Sequence, residues 1–227
     1  MITREGIRFP LLVLNFKAYE SATGKRALLL AQVAEKLAEK SGVSLVLAVQ
    51  AADIFRVAQA VNLPVFAQHV DTITYGTHTG HQLPEAAREA GAAGTLFNHA
   101  ERPVPAAIWK HSLDRIHQSG LAVLACAPAV EEAVTLAQVG ADMVSVEPPS
   151  LISSGIPVSR AQPELVTQAV EKVRGAADIP VLCGAGIRTA EDVRMALKLG
   201  AQGVLLASGY CLAPVPQQWL EDLLKGF

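Results

Sequence analysis

A chain of 227 residues that is 51% hydrophobic and only 5% aromatic has the makings of one large core of small aliphatic side chains, and its composition excludes a disordered tail. A formal net charge of −2 without any Lys/Arg block argues against nucleic acid or an anionic membrane as partner, and no run reaches the roughly 18 apolar residues of a spanning helix. Three widely spaced cysteines, Cys126, Cys183 and Cys211, do not make a disulfide framework; with no apolar signal segment in Met1 to Pro10, a soluble cytoplasmic protein is expected.

The first apolar run, Leu11 to Phe16, has strand length, and an extended backbone would point Asn15 and Lys17 to one side. A helix follows over Gly24 to Lys40, with Leu28, Leu29, Val33, Leu37 and Ala38 expected on its buried stripe. The alternation then repeats: strand Ser44 to Val49, helix Ala51 to Val61, strand Pro64 to Gln68. Between Val70 and Leu83 lies a polar excursion, Asp71 to His81, too long for an ordinary connection and read as a protruding contact loop. Its His78 and His81 have no carboxylate or cysteine at ligand spacing beside them, so a metal site is not expected there.

Pro84 opens a third helix, ended by Gly91, and the strand Gly94 to Phe97 delivers His99, Ala100 and Glu101 to its end. Helix Pro105 to His117, strand Ala122 to Cys126 and helix Val130 to Gln138 lead to the strand Met143 to Val146, which ends in Glu147 and the stiff pair Pro148-Pro149. Helix Glu164 to Arg174, strand Pro180 to Cys183, helix Ala190 to Leu199, strand Gly203 to Ala207 and helix Pro216 to Leu224 complete the chain. Gly42, Gly91, Gly120, Gly140 and Gly200 stand where helix C-terminal caps need positive φ.

Uninterrupted apolar strands, as opposed to alternating ones, belong to a parallel sheet covered on both faces. Eight strand-then-helix units without a linker predict a single-domain (β/α)8 barrel over residues 1–227. An open doubly wound sheet is the alternative, but neither Asn15 nor Gln50 is followed by a Gly-rich phosphate fingerprint. In a closed barrel all strand C-terminal ends meet at one mouth, which gathers Asn15, Lys17, His99, Glu101 and Glu147. Gly184-Ala185-Gly186 and Ala207-Ser208-Gly209, the turns after strands seven and eight, have little side chain in the way of a phosphate approaching their N–H groups. A carboxylate ending a buried strand, under the small-residue segment Pro148 to Gly155, suits a catalytic base beneath a lid.

These pieces resemble triosephosphate isomerase of the short, archaeal type along essentially the whole chain: Asn15-Phe16-Lys17, His78-Thr79-Gly80-His81, Asn98 to Arg102, Glu147-Pro148-Pro149, Cys183 to Gly186 and Leu206 to Gly209. The resemblance implies the TIM-barrel fold and the interconversion of dihydroxyacetone phosphate and glyceraldehyde 3-phosphate, with no cofactor and no metal. It implies Glu147 as base, His99 as electrophile, and Lys17 and Asn15 as charge and hydrogen-bond donors, with Glu101 supporting Lys17. Phosphate would meet Ile152, Ser153, Gly186, Ala207 and Ser208. It further implies a homodimer or homotetramer in which Thr79 enters a neighbouring subunit. Two positions depart from the family pattern: Ala100 stands where serine is usual, and Ser153 where the lid normally has glycine. Those departures leave open a weakened paralogue that binds triose phosphate as a sensor; the two phosphate turns alone would also suit another phosphate-binding barrel enzyme.

Overall fold

Alternate residues of each strand point to opposite sides of one sheet, and both sides are covered, which is why the runs are apolar throughout. The computed structural model describes residues 7–151 and 157–227, with Val158 described by its backbone alone. The first half contains β1 (Leu11–Asn15), α1 (Lys25–Ser41), β2 (Ser44–Val49), α2 (Ile54–Ala58), β3 (Val65–Ala67), α3 (Pro84–Glu89), β4 (Gly94–Phe97) and α4 (Trp109–Gln118). The second contains β5 (Ala122–Ala127), α5 (Val130–Gln138), β6 (Met143–Val146), α6 (Val158–Ala161), α7 (Pro163–Ala176), β7 (Val181–Cys183), α8 (Ala190–Lys198), β8 (Gly203–Leu206), α9 (Ser208–Cys211) and α10 (Pro216–Leu224).

The eight strands form a closed barrel in sequence order, each pairing in parallel with the next, and β8 returns to β1 with Leu11 opposite Gly203. Leu11 and Val13 belong to a small cluster with Val46, Phe66, Leu124 and Leu182 that fills the barrel. Their neighbours Leu12 and Leu14 belong to the larger shell shared with the helices. The same register puts Met143, Ser145 and Glu147 on the inward side of β6 and its exit, so the carboxylate sits at the mouth by strand parity.

The expected buried stripe of α1 is corrected by the structure. Ala27, Leu30, Ala31, Ala34, Leu37 and Ala38 are buried, whereas Leu29 is 62% exposed and Leu28 and Val33 are only partly covered. Alanines recurring at helical spacing let α1 approach the strands closely, and this outweighs the larger apolar area of the leucines. Other differences are local. Residues 51–53 and 106–108 are 3-10 turns leading into α2 and α4. The four-residue α6 and α9 are too short to leave a periodic trace. All five capping glycines have positive φ, from 76° at Gly42 to 111° at Gly140.

Candidate active site

At the end of β1 the structure departs from an extended chain. The strand stops at Asn15, and Lys17 has φ of +47°, so strand alternation does not align the two residues. Asn15 closes the turn itself: its Oδ1 accepts the Lys17 N–H at 3.0 Å, the Asx-type bond that short polar side chains offer. Both side chains still reach one cleft of about 370 Å³, which Gln68, His99, Glu101 and Arg102 also line. Lys17 Nζ donates to Glu101 Oε1 at 2.7 Å, and the lysine side chain is only 10% exposed while the glutamate is 59% exposed. The pair therefore orients a sheltered cation from the solvent side.

β4 is followed by a second residue in the left-handed region, Asn98, with φ of +57°. Its side chain spans the turn, donating to the Cys126 carbonyl at 3.0 Å and accepting the Val104 N–H at 2.9 Å. His99 is thereby fixed in a buried position, and its Nδ1 accepts the Glu101 N–H at 3.1 Å. Because a backbone N–H can only donate, Nδ1 carries the lone pair and the proton of the neutral ring sits on Nε2. That nitrogen is 3.5 Å from Glu147 Oε2.

Glu147 is 3% exposed, and its N–H continues the sheet ladder to the Ala127 carbonyl at 2.8 Å. Burial pushes its carboxyl above the ordinary glutamate value, against the opposing pull of His99, Cys126, Ser145 and Lys17. Oε1 has no hydrogen-bond partner among the described residues. Oε1 is itself buried, against Gly184, and a carboxyl raised by burial in this way is a candidate general base. Gly184 makes this position possible: a Cβ there would stand 2.1 Å from Ser145 Oγ and 2.3 Å from Glu147 Cγ. On the opposite flank, Ala100, Val104, Trp109, Cys126 and Pro149 line an apolar cavity of about 450 Å³ that also reaches Glu147. The Cys126 thiol is driven well above its usual pKa by burial and then by Glu147, which leaves it a packing group and no nucleophile.

The turns after β7 and β8 meet in a compartment lined by Lys17, His99, Glu147, Gly186, Ala207 and Ser208. Gly186 needs its φ of +74°, and Gly209 lies flat under Trp219, whose ring would stand 2.4 Å from an added Cβ. The Tyr210 hydroxyl anchors α9 to the Leu30 carbonyl at 2.7 Å. Thus Asn15, Lys17, His99, Glu101, Glu147, Gly186, Ala207 and Ser208 are brought to one mouth, while Ile152 and Ser153 lie outside the described residues. Sequence reasoning missed Gln68, Gly184's steric role, and Arg188, an exposed cation on the rim of the same compartment. Only the position of Gln68 after a strand could have singled it out.

The family model for triosephosphate isomerase matches residues 10–215. The chain is 46% identical to triosephosphate isomerase of Methanobacterium bryantii over 217 residues, covering 95% of this chain and 96% of that one. It is 46% identical to the enzyme of Methanothermobacter thermautotrophicus, covering 95% of each chain, and 42% identical to that of Methanocaldococcus jannaschii, covering 95% of this chain and 99% of that one.

Proposed function

From the premise that the chain belongs to the triosephosphate isomerase family and interconverts dihydroxyacetone phosphate and glyceraldehyde 3-phosphate, we propose that Glu147 is the base of that reaction and His99 its electrophile. The observation that carries the assignment is the 3.5 Å approach of His99 Nε2 to the buried Glu147 carboxylate across the mouth of the barrel. A planar substrate bound beside the pair, which parts to admit it, would present a carbon-bound proton on its face to the carboxylate and a carbonyl oxygen at its edge to the ring N–H.

Glu147 removes a proton from C1 of dihydroxyacetone phosphate, and the electron pair moves toward the C2 oxygen as the enediolate forms. His99 Nε2–H stabilises that oxygen, gives it the proton, and recovers one from the C1 hydroxyl. The proton on Glu147 then goes to C2, which yields the aldehyde and restores both residues. Lys17 and the amide donor of Asn15 face the oxygens where charge develops, donors already oriented before it appears. The N–H groups around Gly186, Ala207 and Ser208 take the phosphate, joined by Ile152 and Ser153 as the sequence implies. Glu147→Gln and His99→Gln, measured in a coupled assay in both directions, should each lose about 10² to 10⁴ in kcat while the chain stays folded. Wild-type turnover in either variant overturns that residue's role.

The same reading extends to self-association. Asp71 and Gln82 close the long loop reciprocally, Asp71 N–H to the Gln82 carbonyl at 2.9 Å and Gln82 N–H to Asp71 Oδ2 at 2.8 Å. Arg115 Nε pins the Ile73 carbonyl at 2.8 Å, and Tyr75 is left 74% exposed at the tip. A preformed loop of this kind, next to an open polar cleft at Lys17, supports a homodimer or homotetramer in which each subunit's Thr79 enters its neighbour's cleft. Sedimentation equilibrium tests it; an active monomer at micromolar concentration overturns it. No described helix is long and apolar enough to cross a membrane, and the three cysteines are free and buried, which supports a cytoplasmic location.

A further inference from the structure

Gln68 follows β3, half-buried, with no charge and no chemistry of its own. Yet its Nε2 stands among three oxygens: the Lys17 carbonyl at 2.9 Å, Asn15 Oδ1 at 3.2 Å and the Ala48 carbonyl at 3.3 Å. Two of these are backbone carbonyls, which only accept, so the amide is oriented with its nitrogen toward them. Its own N–H is tied to the Val49 carbonyl at 3.2 Å, which holds the side chain's root in the barrel ladder.

This contact has two consequences for the mouth. Lys17 occupies a left-handed conformation that a lysine enters at some cost, and such a turn persists only where its surroundings over-determine it. The Asn15 side chain holds the turn from its N–H and Gln68 holds it from its carbonyl. At the same time, Asn15 Oδ1 is engaged by two donors, the Lys17 N–H and Gln68 Nε2, which fixes the flip of that amide and leaves Nδ2, with no partner among the described residues, as its donor end.

We propose that Gln68 is a positioning residue for the isomerase reaction: it locks the Lys17 turn and turns the donor end of Asn15 to the substrate oxygen. The inference rests on Asn15 and Lys17 being substrate-binding residues. Gln68→Ala frees both, and misplacing donors by about 1 Å costs on the order of 10²-fold in kcat/KM. In an Asn15→Ala background, where one of the two controlled groups is already gone, the same substitution should cost only a few-fold.

Gln68→Glu keeps the shape and exchanges the donor for a carboxylate facing three oxygens. The three oxygens push such a carboxyl above the ordinary glutamate range, against the pull of the Lys17 ammonium lining the same cleft, and only the protonated form can donate. Relative to wild type at each pH, its kcat/KM should therefore recover as pH falls from about 8 toward 6.

Wild-type kcat/KM in folded Gln68→Ala overturns the proposal, as does an equal loss in both backgrounds or a pH profile of Gln68→Glu parallel to wild type. If Gln68→Ala does not fold, the Gln68→Glu profile decides alone. Wild-type activity in Asn15→Ala sinks the site assignment instead, and so separates the two failures.

Discussion

The two halves of the barrel mouth are built on opposite plans. On the β1 and β4 side, two non-glycine residues at positive φ, Lys17 and Asn98, are held in place by side-chain hydrogen bonds, and the side chains at the mouth are charged or polar. On the β7 and β8 side the turns are nearly bare, and Gly184 and Gly209 leave the space that Glu147 and Trp219 occupy. In the first half side chains fill the mouth and hold the bent backbone; in the second, the absence of a side chain is itself the requirement. Substitution should therefore separate activity from stability in the first half and remove both together in the second.

The sharpest break of that contrast is at Lys17. On the role proposed for it, Lys17→Ala should lower kcat/KM by about 10²-fold or more, since an ammonium beside developing charge and phosphate would be lost. Its thermal midpoint should barely move. Lys17→Gly should be equally inactive but about 1 kcal/mol more stable than Lys17→Ala in denaturant titrations, because glycine enters positive φ without strain. Equal stability of the two would show that the turn carries no strain.

On the bare side, Gly184→Ala is expected to lose about tenfold in kcat and about 1–3 kcal/mol together, because the new methyl can be housed only by moving Ser145 or Glu147. Activity lost with full stability would mean that Glu147 has room to step aside.

Smaller effects come from titration. Burial raises the Glu147 carboxyl, so the acid limb of kcat/KM should lie above the 4.5 of an ordinary glutamate. A carboxyl raised on folding contributes stability at low pH that is lost as pH climbs through its folded value, and Glu147→Gln should abolish that fall. His117, whose Nε2 meets Asp142 Oδ2 at 2.9 Å, is likewise raised, first by this hydrogen bond. It stabilises the fold fully below pH 6.5 and ceases to do so as pH rises through its elevated value. With both partners more than a third exposed, water screening keeps the term well under about 1 kcal/mol. Unfolding curves of His117→Gln at pH 6 and pH 8, about two units apart, should differ less than those of the parent; an unchanged difference would remove the pair from the account.

The barrel was legible in the sequence because its signals are local: apolar runs of strand length, and glycines at C-terminal caps that all prove to have positive φ. That Asn15, His99 and Glu147 lie together at one mouth was legible because strand ends converge in such a fold. Gln68 was not, since its meaning lies in contacts with residues far away in sequence. Nor could the Lys17 turn be foreseen, because lysine has no preference for left-handed backbone and the Asn15 bond that compensates it appears only in three dimensions. Gly184 reads as one more small residue until Ser145 and Glu147 are seen to fill the space of its missing Cβ.

The seam between β1 and β8 has a bearing on synthesis. Leu11 to Leu14 pair with Gly203 to Leu206, so during synthesis β1 waits for β8. Ser21 Oγ reaches the Cys211 carbonyl at 2.6 Å across the same seam, which ties the Lys17 side of the mouth to the turn after β8. A nascent chain halted after β7 carries Asn15, Lys17, His99 and Glu147 and yet has an open edge, unpaired carbonyls and none of the turn after β8. On the roles proposed above, competence for the isomerase reaction would arrive with that closure, and a chain arrested before it would be inert toward triose phosphate.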